Sequence, residues 1–318
     1  MSILEHDNRK KAKAYAEYIT GDALRRYLAD KVHQYAGEGV SVFDGACGSG
    51  QLEQYIKMTH LTAVEIQKDS CDAIRHNYPT AKVFHQSFFT DLDTDLDTDL
   101  DCVAMNPPFS IKFKDLSDAE QANIQALFPW KKSGVVDDVF VLKAMQYSKR
   151  WGFFILFPGV GYRNTEKKFR ELITPHLVEL STIENAFDDT TISVIFIVLD
   201  KLKNGGECYG ELYDCKTKQV IHSHTITPDA DRWDMPQKPA PEPERIDPVQ
   251  HEYQARQATK SMLISQLRFS KVTAMFEPET ANSFNAFCDE LIQAINDEKV
   301  DDFGLKVRYD NLLQPNNR

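Results

Sequence analysis

Cys102-Val103-Ala104-Met105-Asn106-Pro107-Pro108-Phe109 is the stretch on which the reading of this chain turns. An apolar run that meets a polar residue and two prolines has to leave a sheet there. Proline has no N–H for the ladder, and it pushes the residue before it out of the helical region. The pattern predicts a buried strand that ends with Asn106 held at its tip. The Asn106 amide oxygen and the Pro107 carbonyl offer two acceptors, enough for both hydrogens of an exocyclic amino group, and Phe109 offers a flat face for a base. Taken alone, the tetrapeptide is equally an ordinary strand-to-loop turn. Its surroundings decide.

Upstream, Val42-Phe43-Asp44-Gly45-Ala46-Cys47-Gly48-Ser49-Gly50-Gln51-Leu52 runs from an apolar strand into a turn of small residues and then into a helical pattern at Leu52, Tyr55 and Ile56. Glycines let the backbone approach a ligand closely, and a helix start offers unpaired N–H groups. The spacing is not the dinucleotide G-x-G-x-x-G, which argues against NAD. The next apolar run, Leu61-Thr62-Ala63-Val64, ends in Glu65 and Ile66. In a doubly wound sheet, an acid at that strand tip accepts the hydroxyls of an adenosine ribose.

Together these segments resemble the S-adenosylmethionine-dependent adenine-N6 DNA methyltransferases, most closely the modification subunits of type I restriction systems. The resemblance covers roughly the first two hundred residues. It implies that Asp44, Gly45, Ala46, Cys47, Gly48 and Gly50 form the cofactor loop, that Glu65 is the ribose acid with Ile66 beside it in the cofactor site, and that Asn106, Pro107, Pro108 and Phe109 are catalytic. Tyr18-Ile19-Thr20-Gly21 is similar to the family's element at the methionine end of the cofactor, with Gly21 where proline usually stands. Asp137–Leu142 and Trp151–Pro158 are similar to a helix and the fifth strand of that fold, and Ala186–Val194 to its late loop. One departure is visible. The family usually carries an Asp at the end of the third strand, facing the cofactor's adenine amine. Here Val83-Phe84-His85-Gln86-Ser87-Phe88 has only neutral groups, so Gln86 or Ser87, beside Phe88, is the expected acceptor and a weaker one than a carboxylate.

The implied architecture is α/β, a Rossmann-like class I methyltransferase with a seven-stranded, mostly parallel sheet whose last strand is antiparallel, plus a small C-terminal hairpin and a helical appendage. The expected division is a catalytic domain over 1–204, a β-hairpin extension over 205–227, a proline-rich linker or strap over 228–248, and a helical region over 249–318 for a dimer, partner or DNA contact. The expected cofactor is S-adenosyl-L-methionine, with no metal. Cys208, Cys215, His222 and His224 fit no common zinc spacing, and the alternation of Tyr209–Tyr213 between them reads as a strand.

With 42% hydrophobic and 27% charged residues in 318, the chain has the composition of a globular enzyme, and no apolar run reaches the length of a membrane span. Six cysteines without a CxxC pair read as reduced packing residues of a cytoplasmic protein. A net charge of −11 does not favour nucleic acid, so DNA contact has to come from a local basic surface. Lys112 and Lys114, just past the tetrapeptide, are the best placed; Lys131-Lys132, Lys149-Arg150, and Arg163 with Lys167, Lys168 and Arg170 are further candidates. The acidic repeat of Thr-Asp-Leu-Asp over 90–101 reads as a solvated connection.

The expected partners are double-stranded DNA and either a specificity subunit or a second copy of the chain, with no membrane. The expected reaction is methylation of a flipped-out adenine. Two alternatives stay open: the same transfer to an amine of ribosomal RNA or to a protein glutamine, and a non-catalytic partner protein that keeps the fold.

Overall fold

The structure, a computed structural model, describes residues 20–90, 99–109, 111–187, 192–237, 248–274 and 281–297. Tyr18, most of the acidic repeat and residues 188–191 of the late loop lie outside them. The chain forms two compact units, residues 1–239 and 240–318.

The first unit is built on one sheet of nine strands: β1 (Val40–Asp44), β2 (Met58–Glu65), β3 (Lys82–His85), β4 (Leu100–Met105), β5 (Ser148–Leu156), β6 (Leu177–Glu184), β7 (Val194–Asp200), β8 (Cys208–Asp214) and β9 (Gln219–Ile226). Their order is β3-β2-β1-β4-β5-β7-β6-β8-β9. The pairs among β1 to β5 are parallel. β7 runs antiparallel between β5 and β6.

The central strands carry continuous apolar runs, such as Cys102–Met105 and Phe153–Leu156, because both faces are covered there. Successive side chains of β4 alternate between two cores. Cys102 and Ala104 join Leu24, Leu28 and Val32 of α1 (Asp22–Tyr35) and Ile74 of α2 (Lys68–Asn77). Val103 and Met105 join Ile124 of α3 (Asp118–Leu127), Val139 and Phe140 of α4 (Asp137–Ala144) and Phe169 of α5 (Lys167–Ile173). Phe153 and Phe154 of β5 divide in the same way. A strand exposed on one face would show polar residues at every second position instead.

The strand count corrects the expectation of seven. The hairpin is not an appendage: β8 pairs in parallel with β6 and β9 pairs antiparallel with β8, so the sheet simply continues. A buried polar cluster fastens it. The single Tyr27 hydroxyl lies between two carboxylates, 2.7 Å from Glu211 of β8 and 3.0 Å from Glu179 of β6. Lys31 lies 2.9 Å from Glu179 and 3.0 Å from Glu211. Two buried carboxylates on adjacent strands need such partners, and α1 supplies them. Cys208 and Cys215 are buried, whereas His222 and His224 stack on the exposed face of β9.

After β9 the chain returns to the body of this unit. Arg170, fully buried, donates to the carbonyls of Ala230 and Asp231, and Trp233 packs near Phe169. The second unit holds α6 (Pro248–Ala274) and α7 (Ala281–Asn296), joined through a core of Leu263, Leu267, Cys288, Leu291 and Ile295. Among the described residues, no helix is long and apolar enough to cross a membrane.

Candidate functional site

The parallel order β3-β2-β1-β4 brings four strand tips side by side, with the crossover direction reversing between β1 and β4. Open α/β sheets bind ligands at such a switch point. A solvent-open cleft of about 840 Å³ lies there, lined from every one of these tips. Gly45, Ala46 and Gly48 come from the loop after β1, Glu65, Ile66 and Gln67 from the end of β2, Gln86, Ser87, Phe88 and Phe89 from beyond β3, and Asn106 to Phe109 from beyond β4. Ile111, Leu116, Glu120 and Phe140 complete it.

The loop after β1 turns because its residues are small. Gly48 sits at φ +57°, a left-handed conformation, and its N–H donates to Glu65 Oε2 at 2.8 Å. At Gly45 a Cβ would stand 2.8 Å from the Phe88 ring, so the close approach of loop to β3 excludes any side chain. The expected helix after this loop is only a 3-10 turn, Leu52–Tyr55, because β2 begins at Met58. The loop's own N–H groups are tied inward, Ala46 to Asp44, Cys47 to the Val64 carbonyl and Gly48 to Glu65.

Glu65 is 6% exposed, and its carboxylate accepts from Gly48 N–H and, at 2.7 Å, from Gln67 N–H. The acid ties the loop after β1 to the end of β2. Asp44, Cys47 and Gly50 lie outside the cleft lining. Asp44 is buried beneath the loop and accepts from Ala46 N–H at 2.7 Å. Beside it stand Cys47 and Glu53, all three with ligating atoms within 4.8 Å of one another. Burial pushes Glu53 up to about 7, and burial together with the neighbouring Glu53 holds the Asp44 acid well above the usual range. Two carboxyls in contact without solvent cannot both ionise, so the pair retains a proton.

At the tip of β4, Asn106 Nδ2 donates to Thr20 Oγ1 at 2.9 Å, across 86 residues of chain. Thr20 is itself 7% exposed, immediately before Gly21, the N-cap of α1. Asn106 Oδ1 is buried and has no hydrogen-bond partner among the described residues. Buried acceptors are nearly always paired, so a lone one in a cleft is an observation that calls for a ligand. Phe109 is 4% exposed, with ring centroids 6.1 Å from Phe187 and 6.5 Å from Phe157.

Of the cations, Lys112 and Lys114 are exposed. Lys131 and Arg170 are not available to a phosphate: Lys131 is 1% exposed and paired with Asp138 at 2.6 Å, and Arg170 is spent on backbone carbonyls. Arg150 is taken by Asp200, Lys167 by Asp231 and Lys168 by Glu171.

One acceptor of the cleft went unread in the sequence, and one expected residue has a partner the sequence did not suggest. Glu120 lines the cleft and accepts from Ser87 Oγ. Thr20 was expected at the methionine end of a cofactor and is found holding Asn106. The only sequence signal for the first is the Ser117-x-x-Glu120 capping box, which marks a helix start and nothing more.

This is the architecture of the class I methyltransferases. Residues 72–228 match the family described as N-6 DNA Methylase, a span that contains Asn106–Phe109 and begins just after the glycine-rich loop and Glu65. The search of curated proteins gave no match. Among solved structures, the chain is similar to the type I restriction-modification system methyltransferase subunit from Streptococcus thermophilus, with a TM-score of 0.54 at 17% identity over 71% of this chain and 62% of that one. It is also similar to a chain of a type I restriction-modification complex (TM-score 0.54, 12% identity, 86% and 68% covered) and to the type IIG restriction endonuclease BpuSI (0.51, 16%, 66% and 31%). The chain thus spans less than two thirds of the first of these relatives. The match spans just under half of the chain, and the structural likeness at these identities is one of fold. The cleft's own chemistry suits S-adenosylmethionine: side-chain-free backbone at Gly45 and Gly48, and a buried acid at the second strand tip.

Proposed function

We propose that the chain is a DNA adenine-N6 methyltransferase. The observation that carries the reading is the buried, unpartnered Oδ1 of Asn106 at the wall of a cleft that also contains the cofactor loop. When bound, S-adenosylmethionine supplies an electrophilic methyl group on its sulfonium. Glu65 would hold its ribose, the Gly45–Gly48 backbone its methionine portion, and Ile66 and the Gln86–Phe88 segment its adenine side. Everything else is positioning by this chain.

Thr20 accepts from Nδ2 of Asn106, which fixes the amide and leaves its buried Oδ1 as the unpaired atom, in a residue that lines the cleft. Oδ1 and the Pro107 carbonyl accept the two hydrogens of the target amine. The amine nitrogen is then fixed with its lone pair toward the donor, and proline's rigidity keeps the second acceptor from drifting. No such approach is open to an adenine inside a duplex, so the base has to be flipped out, at a cost of a few kcal/mol. Phe109 is the stacking surface beside Asn106. It is covered by Phe157 and Phe187, so a base that stacks on it has to displace one of those rings.

Lys112 and Lys114 supply phosphate contacts, and two charges give a shallow salt dependence. Two lysines also give little affinity, which favours a specificity-conferring partner or a short, permissive target over a long sequence read by the chain itself. Tritium transfer from labelled S-adenosylmethionine to duplex DNA, ribosomal RNA and protein, assayed in parallel, tests the reading. Label in DNA, recovered as N6-methyladenine, is expected; label only in RNA or in glutamine of a protein would reassign the substrate, and label in none would leave a non-catalytic protein of this fold.

A further inference from the structure

The third strand tip lacks the carboxylate expected opposite an adenine amine, and the structure supplies one from elsewhere. Ser87, at the place in question, donates its hydroxyl proton to Glu120 Oε1. Glu120 belongs to α3, 33 residues on, and lines the same cleft. Its other oxygen, Oε2, accepts from Ser117 N–H at 2.9 Å and Ser117 Oγ at 2.7 Å, which completes the capping box and pins the side chain. Oε2 is therefore saturated. Oε1 has accepted one hydrogen and retains a second lone pair.

A capping box accounts for only one of the two oxygens. The other is fixed by Ser87, in a cleft whose lining also includes Ile66, Ile111 and Leu116. Ile66, 53% exposed, gives that cleft an open apolar face. Burial raises the Glu120 acid, but the bonds from Ser87 and Ser117 outweigh it and hold the acid below its usual range. A cleft with apolar lining and a fixed anionic acceptor suits an aromatic ring that carries an amine.

We propose that the Ser87–Glu120 pair is the acceptor for the exocyclic amine of the methyl donor's adenine, with the carboxylate that other sheets of this kind carry on the strand supplied here by α3. The assignment rests on S-adenosylmethionine being the ligand of the cleft. It makes Glu120 a specificity-determining residue for the donor nucleoside, and it leaves Asn106 to the target base alone.

The test is calorimetric titration of the full chain with S-adenosylhomocysteine and with its inosine counterpart, in which a carbonyl oxygen replaces the amine. Wild type should prefer the adenine compound by about tenfold or more, because a site built to accept a hydrogen rejects an oxygen. Glu120→Gln preserves the capping box, so the helix should stay intact by circular dichroism. It should bind the adenine compound about fivefold or more weakly and lose most of the preference, since a glutamine amide can also donate. Ser87→Ala, which frees Oε1 without touching the cap, should shift both affinities in the same direction and less far. An unchanged affinity and preference in a folded Glu120→Gln protein overturns the proposal. A wild-type chain that binds neither compound removes the donor from the cleft, and the role of Glu120 with it.

Discussion

Thr20→Val removes one oxygen from the site and little else. Valine matches threonine in shape, and Thr20 is 7% exposed, so the change leaves no cavity. What it does leave is Asn106 Nδ2, half-buried, without the acceptor that now stands at 2.9 Å. A fully buried donor stripped of its partner costs about 1–3 kcal/mol, which bounds the effect from above. The amide can recover part of that by rotating, and rotation takes Oδ1 away from the target amine. If the whole cost appears as lost positioning, turnover should fall roughly 5- to 150-fold, since 1.4 kcal/mol is a factor of ten. Single-turnover methylation of duplex DNA by the variant, beside calorimetric titration of S-adenosylmethionine, separates the two roles open to Thr20. A slower rate with cofactor affinity kept within about twofold is expected for a residue that acts through Asn106. Weakened cofactor binding with an unchanged rate at saturation would refute the reasoning and return Thr20 to the methionine end of the cofactor.

Glu65→Gln should weaken S-adenosylmethionine binding by about 1.5–3 kcal/mol, the worth of a bond to a charged group, while thermal unfolding shows the chain still folded; equal affinity in titration would take Glu65 out of the site. Stability should fall as pH rises from 4.5 toward 7, because buried Glu53 keeps a proton that its unfolded counterpart, with an acid constant of 4.5, has already released. The Glu53 contribution is fully present below pH 4.5 and lost above about 7, and Glu53→Gln should flatten that part of a urea-denaturation profile; an unchanged slope would show that Glu53 does not hold the proton.

The parts of this molecule that were legible in sequence are those in which one local segment carries both the structural and the chemical signal. Asn106–Phe109 ends a strand because of its prolines and offers acceptors because of its Asn and a carbonyl. Glu65 closes an apolar run and faces the cleft for the same reason. The fold class followed, since runs such as Cys102–Met105 and Phe153–Leu156 are apolar at every position only in sheets covered on both faces.

The illegible parts depend on partners distant in sequence. Nothing near Thr20 announces that it will meet Asn106, and nothing near Glu120 announces Ser87. The strand count was missed for a related reason: Glu207–Tyr213 reads as half of a hairpin, and whether a hairpin stands apart or extends a sheet is settled by Tyr27 and Lys31, far upstream on α1. Burial likewise sorts cations that look alike in sequence, leaving Lys112 and Lys114 exposed and Lys131 and Arg170 enclosed.

The central claim is that the unpartnered oxygen of Asn106 exists to receive the target amine. Asn106→Ala removes it without touching Glu65, Ser87 or the glycine-rich loop. Mass-spectrometric measurement of N6-methyladenine in duplex DNA, made on a variant shown by titration to bind S-adenosylmethionine as wild type does, tests that claim directly. The account predicts normal cofactor binding and no detectable methylated adenine, whereas methylation at the wild-type rate would contradict it.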